Sequence, residues 1–450
     1  MIAPARLAAY DTVLAVGAGR LDLPTALSRA RTKLTDERDR ALAGEIATGT
    51  LRWQAAIDHL ITAFSGRPVG RLDAEIVAIL RISGFQLLQL DRVPASAVVD
   101  DAVQMAKRAG KKSASGFVNA VLRRISRERN RLPLPREPPI DLLSITISHP
   151  RWLADRWLRR YGVEATVAWA EFNNSPAPLT LRANTLKMSR DALAAALRQL
   201  DVDTQPARFA PDALVVITGN PLLTPLAHSG AFVVQDEASQ LVGLFAAATA
   251  GERILDACAS PGGKTTQMAA AMRDTGLIVA TDVRGRRVEL LARTVAASGA
   301  RSVRVVHADA RGPAPFRAHF DAALVDAPCS GLGTIRRDPD VRWRRSEGDL
   351  ASLAEAQREM LAQLAPVIRP GGRLIYSTCS SEPEENQAVV DAFLADHPDF
   401  GRRVPPAFDR AELRALVDAD GALQTFPFRD GLESFYAASL QRKEDAAGFC

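Results

Sequence analysis

Apolar residues recur at helical spacing through the first 130 positions: Leu7, Val13 and Leu14, then Ile46, Leu51, Ile57, Leu60 and Ile61, then Ile76, Ile79, Leu80 and Ile82. The pattern is punctuated where helices must break, at Leu23-Pro24, Gly66 to Gly70, Val93-Pro94 and Ala109-Gly110. This predicts an all-α module of about five to seven helices over residues 1–130, with Thr35 as a candidate cap and Arg38, not Glu, at the third place of its box. The module closes on a helix from Ala114 to Arg129. Its apolar stripe is Phe117, Val118, Val121, Leu122 and Ile125, and Arg123, Arg124, Arg127 and Arg129 lie mostly off it. Residues 131–139 read RLPLPREPP, a stiff, extended run that predicts a linker over 131–147.

From about 148 to 240 the pattern mixes. Trp152 to Tyr161, Val163 to Phe172 and Arg190 to Leu200 read as helices, and 179–185 and 213–219 as strands, which predicts a small α+β module. Arg182 and Asn184, at a strand end, fit either an RNA contact or a structural role. Beyond 250 strands and helices alternate. Candidate strands are Arg253–Ala257, Leu277–Thr281, Val303–His307, Ala322–Asp326 and Arg373–Ser377; helices fill 263–273, 285–298, 346–368 and 384–395. The rhythm predicts a parallel sheet covered on both faces, over 241–441, with ligands at the C-terminal strand ends. Residues 442–450 read as a tail in which Cys450 has no motif.

Composition alters this picture little. No apolar run approaches the ~20 residues of a membrane span, and the N-terminus has no signal-peptide core, so a cytoplasmic protein is expected. Four cysteines and six scattered histidines support neither a disulfide framework nor a metal site. A net charge of +5 is a weak pointer to a polyanion, but its distribution says more. Lys107 to Arg131 holds nine Lys/Arg against one acid, Glu128, and five arginines crowd 336–345. Two such clusters point to nucleic acid, with Arg123, Arg124, Arg336, Arg337 and Arg342 as candidate phosphate contacts and Trp343 suited to base stacking or core packing.

The chemistry gathers at the strand ends. Asp256, Asp282, Asp309 and Asp326 end or follow four successive strands, and Asp282 lies about twenty residues past Gly263, where a carboxylate meets a ribose hydroxyl in nucleotide-binding sheets. The first turn, Cys258, Ala259, Ser260, Pro261, Gly262, Gly263 and Lys264, is neither GxGxxG nor a P-loop, which disfavours a dinucleotide or a nucleoside triphosphate. S-adenosyl-L-methionine, with an adenosine and a cationic centre, suits an acidic edge better. Cys329 follows the fourth strand and Cys379 the fifth, so both thiols are expected in one pocket. A thiol beside a methyl donor suits methylation of a pyrimidine at C5: thiolate attack on C6 makes C5 nucleophilic, and loss of the C5 proton expels the cysteine. Asp326 is placed to support the ring as charge develops. The residues alone leave open which cysteine attacks.

The segments ARLAAYDTVL, RDRALAGEIATGTLRW and SASGFVNAVLRRI resemble the NusB-like RNA-binding domain, and SHPRWLADRWLRRYG, LTLRANT and GAFVVQDEASQLV resemble the RRM-like domain that precedes the catalytic domain of NOL/NOP/Sun RNA methyltransferases. CASPGGKT, TDVRGRR, HADAR, FDAALVDAPCSGLGTIRRDPDVRW, GGRLIYSTCSSEPEENQAVV and DGLESFYAASLQRK resemble that family's catalytic motifs in order. The helical front points to its bacterial Sun/RsmB branch, which implies a multidomain protein: NusB-like, RRM-like, then a Rossmann-like class I methyltransferase domain. The resemblance further implies S-adenosyl-L-methionine as cofactor, held by Cys258 to Lys264, Asp282, Asp309 and Asp326, and a cytosine of 16S ribosomal RNA as substrate. Cys379 becomes the nucleophile and Cys329 the residue that assists proton removal and release. A monomer without metal or membrane is expected. Ser260, where alanine is common, and Glu433-Ser434, where a small residue and an aromatic are usual, depart from the pattern. Glu382, Glu384 and Glu385 are expected to favour the start of the next helix. The alternatives are the same chemistry on transfer RNA, or an RNA-binding assembly or antitermination factor without catalysis; a dehydrogenase is more distant.

Overall fold

The computed structural model describes residues 2–313, 315–316 and 319–444, so Cys450 lies outside the described residues. The chain forms two compact units, Met1–Pro176 with Ile335–Glu347, and Ala177–Thr334 with Gly348–Cys450.

The first unit is helical. Its helices up to residue 127 are Pro4–Gly17, Leu23–Arg31, Glu37–Arg52, Gln54–Ser65, Ala74–Gln89, Ala95–Arg108 and Ser115–Arg127. The stripes found in the sequence form one core, in which Ile46, Ile57, Ile79 and Leu122 are almost wholly buried; each such side chain contributes about 1.5–3 kcal/mol of transfer free energy. The cap of Glu37–Arg52 is Asp36 rather than Thr35: Asp36 is the last extended residue, and its Oδ1 accepts the Arg38 N–H at 2.7 Å. Gly49 lets two helices meet, because a Cβ there would fall 2.0 Å from the Phe85 ring. After Ser115–Arg127 the Pro-rich stretch runs without regular structure to Pro138, then enters the short turns Pro139–Asp141 and Leu142–Thr146. Arg151–Asn174 is broken at Gly162 (φ 77°, ψ 178°), which divides it where the sequence separates two helices, and Trp157 stacks on Trp169 at 4.4 Å between ring centroids.

The second unit holds two sheets. Strands β1 (Thr180–Ala183), β2 (Asp203–Pro206), β3 (Ala213–Thr218) and β4 (Phe232–Val234) pair antiparallel in the order β2-β3-β1-β4. Helix Arg190–Arg198 lies between β1 and β2 in the chain and packs Leu193 and Leu197 against Leu181 and Leu214. Arg182 and Asn184 are buried and structural: the Arg182 guanidinium donates to Gln235, to the Gly263 carbonyl and to Thr266 Oγ1, and Asn184 Nδ2 donates to the carbonyls of Gly230 and Ser298.

The larger sheet comprises β5 (Arg253–Asp256), β6 (Leu277–Asp282), β7 (Val303–His307), β8 (Phe320–Asp326), β9 (Ile368–Thr378), β10 (Phe400–Arg402), β11 (Leu423–Gln424) and β12 (Tyr436–Arg442). Its order is β7-β6-β5-β8-β9-β12-β10, with β11 on β12. The five strands read from the sequence are parallel, but the sheet is mixed, which corrects the expectation of an all-parallel one: β12 runs antiparallel to β9, with Tyr436 opposite Thr378 and Gln441 opposite Arg373. Alternation sends Ile254 to one apolar layer and Leu255 to the other, so helices cover both faces. Gly263–Ala271, Gly285–Ser298, Asp349–Leu364 and Gln387–Asp396 supply those layers. Strand order reverses about β5, which puts a crevice above the tips of β5, β6 and β8.

Candidate active site

The turn after β5 depends on glycine. Gly262 holds φ at 104°, a conformation that disfavours any side chain, and a Cβ there would meet Leu291 at 3.0 Å and Thr294 at 3.1 Å. Its N–H bonds to the Ala259 carbonyl, and the Ala259 N–H bonds to the Thr281 carbonyl of β6, which fixes Ala259, Ser260 and Pro261 at the sheet edge. Helix Gly263–Ala271 starts at once, and Lys264 Nζ reaches back to Asp326 Oδ2 at 2.7 Å. The other oxygen of Asp326 accepts the Ser377 hydroxyl at 2.8 Å, so both carboxylate oxygens at the tip of β8 are engaged. Asp256 is wholly buried. Burial pushes its carboxyl up to about 7, with the Thr265 hydroxyl on Oδ2 opposing the rise.

Beside this turn opens a cavity of about 250 Å³, bordered by Cys258, Asp282, Val283, Asp309, Pro328 and Met360. Asp282 is nearly buried, its Oδ1 accepting the Arg284 N–H, while Asp309 is exposed. Carboxylates and apolar Val283, Pro328 and Met360 on one cleft fit a ligand with a polar sugar and a flat apolar base. Burial, and then the charges of Asp256, Asp326 and Asp282, push the Cys258 thiol far up, so Cys258 is a neutral part of the wall.

Cys329 and Cys379 meet beyond the tips of β8 and β9. These neighbouring strands are parallel with Asp326 opposite Ser377, so the loops leaving them start level. The two Sγ atoms stand 3.3 Å apart as free thiols, each half-buried. Gly333 fastens one loop to the other: its N–H donates to the Cys379 carbonyl at 2.9 Å and its carbonyl accepts the Ser434 N–H at 3.0 Å. A Cβ on Gly333 would lie 1.9 Å from the Ser434 oxygen, so only glycine allows this approach. Cys329 is held well above the ordinary thiol range, first by its hydrogen bond to Cys379, then by burial and by the charges of Cys379 and Glu385.

Glu385 was missed in the sequence. It does not serve a helix start at the surface; its side chain is fully buried behind the thiols. The signal available was the serine after each cysteine, Ser330 and Ser380, since both contact it.

The candidate phosphate contacts divide. Arg123 and Arg124 are exposed on Ser115–Arg127; Arg123 bonds Asn119, and Arg124 bonds Glu128 and lies over the Phe64 ring. Arg336 donates to the Pro176 carbonyl at 2.6 Å and stacks on Phe172, and Arg337 is half-buried. Arg342 is a correction. It is fully buried, with Nη1 donating to the Ser148 carbonyl at 2.8 Å and to Asn174 Oδ1 at 3.0 Å, so no phosphate can reach it. Trp343 likewise bonds the Leu51 carbonyl at 2.6 Å. Among the described residues no group of three His, Cys, Asp or Glu is arranged to hold a metal, and no helix is long and apolar enough to cross a membrane.

A doubly wound sheet with an acidic crevice at its switch point and two thiols at adjacent strand tips is a Rossmann-like methyltransferase domain, here with a helical and a small ferredoxin-like domain before it. Residues 244–441 match the family described as 16S rRNA methyltransferase RsmB/F, 3–127 the NusB family, and 149–222 the ferredoxin-like domain of RsmF/B-like methyltransferases. The probable ribosomal RNA small subunit methyltransferase B of Bacillus subtilis is 34% identical over 415 residues, 90% of this chain and 91% of its own. The ribosomal RNA small subunit methyltransferase B of Pseudomonas putida is 35% identical over 440 residues, 97% of this chain and 98% of its own. The crystal structure of PH0851 superposes with a TM-score of 0.82 at 25% identity, covering 98% of this chain and 99% of that one. The chain belongs to the ribosomal RNA small subunit methyltransferase B family, and it is an enzyme of that methyltransferase class.

Proposed function

We propose that the protein transfers a methyl group from S-adenosyl-L-methionine to C5 of a cytosine in 16S ribosomal RNA, through a covalent bond between Cys379 and C6. The observation that carries this reading is the pair of thiols 3.3 Å apart beside the acidic crevice.

The cofactor, when bound, supplies an electrophilic methyl group. The turn Cys258 to Lys264 would border its site through Cys258, with Asp282 and Asp309 at the sugar and Val283 and Pro328 along the base. Cys379 attacks C6 as a thiolate, the ring electrons move to C5, and C5 takes the methyl. Cys329 keeps its proton at rest and can donate it as a hydrogen bond to the attacking sulfur. Asp326, fixed by Lys264 and Ser377, supports the pyrimidine where charge gathers. In the second half Cys329, after giving its own proton to solvent, takes the C5 proton, the C5–C6 double bond re-forms, and the C6–S bond breaks to return the Cys379 thiolate. The target base must be unstacked to enter. Arg123, Arg124, Arg336 and Arg337 are the proposed RNA contacts, and we take the protein to act as a cytoplasmic monomer.

The test uses Cys329→Ala and Cys379→Ala with S-adenosyl-L-methionine and total cellular RNA, followed by a denaturing gel and sequencing of attached RNA. Cys329→Ala should accumulate a protein–RNA adduct containing small-subunit ribosomal RNA, and Cys379→Ala should not. Trapping by Cys379→Ala alone would reverse the two roles. Transfer RNA in the adduct would replace the substrate. Absence of methyl transfer by the unmodified protein would leave a binding factor.

A further inference from the structure

Glu385 ends the short turn Pro383–Glu385, and its carboxylate has no exposure. Oε1 accepts the Ser330 N–H at 2.8 Å and Gln357 Nε2 at 3.1 Å, while Oε2 accepts the Ser380 hydroxyl at 2.5 Å. Ser330 and Ser380 Oγ atoms are themselves 3.1 Å apart. One carboxylate therefore joins the residue that follows Cys329 to the residue that follows Cys379. The Tyr376 hydroxyl lies within reach of the Glu385 carbonyl and of Gln357 Oε1, which ties this assembly to β9. Burying a charge costs several kcal/mol unless donors surround it, so a carboxylate that served only to start a helix would gain nothing by being here.

We propose that Glu385 is a positioning residue of the two-thiol centre: its carboxylate holds the Cys329 and Cys379 loops in one register and sets a negative charge behind the thiols. This builds on the proposed roles of the two cysteines. With the loops fixed, a base bonded to Cys379 has its adjacent carbon within reach of Cys329. The ionisable groups facing Cys329 include Cys379, Glu385 and the Tyr376 phenol. Once Cys379 is bonded to the base its charge is gone, and Glu385 remains as the charge that opposes early loss of the Cys329 proton.

The test compares the full-length protein with Glu385→Gln and Ser380→Ala. Glutamine keeps the size and one acceptor but removes the charge; Ser380→Ala keeps the charge and removes one tether. The first readout needs no RNA: alkylation of Cys329 by iodoacetamide between pH 7 and 10, resolved by peptide mass spectrometry. Glu385→Gln should move this profile to lower pH and speed Cys329 alkylation at pH 8 by about three- to tenfold, because a nearby negative charge disfavours a thiolate. Ser380→Ala should leave the profile in place and lower kcat for methylation by about tenfold at unchanged KM, as expected for misplaced reacting groups. An unchanged Cys329 profile in Glu385→Gln, or an unchanged kcat in both variants, overturns the proposal. If the unmodified protein methylates no RNA cytosine the proposed function falls, yet the alkylation comparison still decides the role of Glu385.

Discussion

Two arginine-rich stretches look alike in the sequence and behave differently in the fold. Lys107 to Arg131 runs from one helix end through a turn into Ser115–Arg127, whose apolar side is buried, so Arg123 and Arg124 lie exposed on its outer face. Arg336 to Arg345 belongs to a segment that packs inside the helical unit, where Arg342 is buried among carbonyls and Arg336 covers Phe172. A charge run reports a need for polar partners. Whether water, phosphate or main-chain oxygen answers that need depends on which faces the neighbouring residues have already filled.

The largest expected effect in this contrast is at Arg342. Arg342→Ala leaves buried carbonyl oxygens without donors and a cavity, and should destabilise the protein by about 3–5 kcal/mol in urea unfolding. Arg342→Lys should recover little, because a lysine cannot reproduce the forked geometry. A variant of normal stability with weakened RNA binding would place Arg342 with the exposed group after all.

Carboxylates offer the same contrast, Asp256 buried and Asp309 exposed. Asp256 takes its proton near 7 when folded and near the ordinary 3.8 when unfolded. Between these values the folded state binds more protons, so stability contributed by the neutral acid is complete below about pH 4 and lost as pH rises through 7. Asp256→Asn should therefore stabilise the cofactor-free protein by about 2–4 kcal/mol at pH 8, with the gain gone at pH 4. Asp309→Asn should stay within about 0.5 kcal/mol at either pH. Equal pH dependence in the two variants would remove the distinction.

Arg123→Ala with Arg124→Ala sharpens the other side. Folding stability should change by less than about 1 kcal/mol, while the slope of log affinity for RNA against log salt should fall by about 1 to 2. A slope equal to that of the unmodified protein would show that this helix meets no phosphate. A further effect is kinetic: decay of the RNA adduct should quicken with pH to 9 and beyond, by up to about tenfold per unit, since Cys329 is held protonated above the ordinary thiol range.

Most of the catalytic sheet was legible because its strands are short, apolar and bounded by loops, and because the four aspartates fall at their ends. Strands β2 and β4 were not: β2, DTQP, is mostly exposed and has no apolar alternation, and β4 has three residues. Strand β12 was not among the five read from the sequence, and its antiparallel direction was hidden as well, because periodicity of two is the same for parallel and antiparallel pairing. The meeting of the two cysteines followed from adjacent strand tips, whereas Glu385 did not, since nothing in a run of acids says which member turns inward. Arg342 failed for the same reason, although Trp343 beside it hinted at packing.

Residues 335–347 have a consequence for synthesis. The helical unit gains its Arg342 donor and the Asp340 carboxylate that accepts the Leu23 N–H only from a stretch that follows Cys329 by a few residues. On a translating ribosome, the front of the protein must therefore wait, with its Ser148 and Asn174 acceptors unfilled by that arginine, until about half of the catalytic sequence has emerged. Maturation of the first part is timed by the arrival of the second.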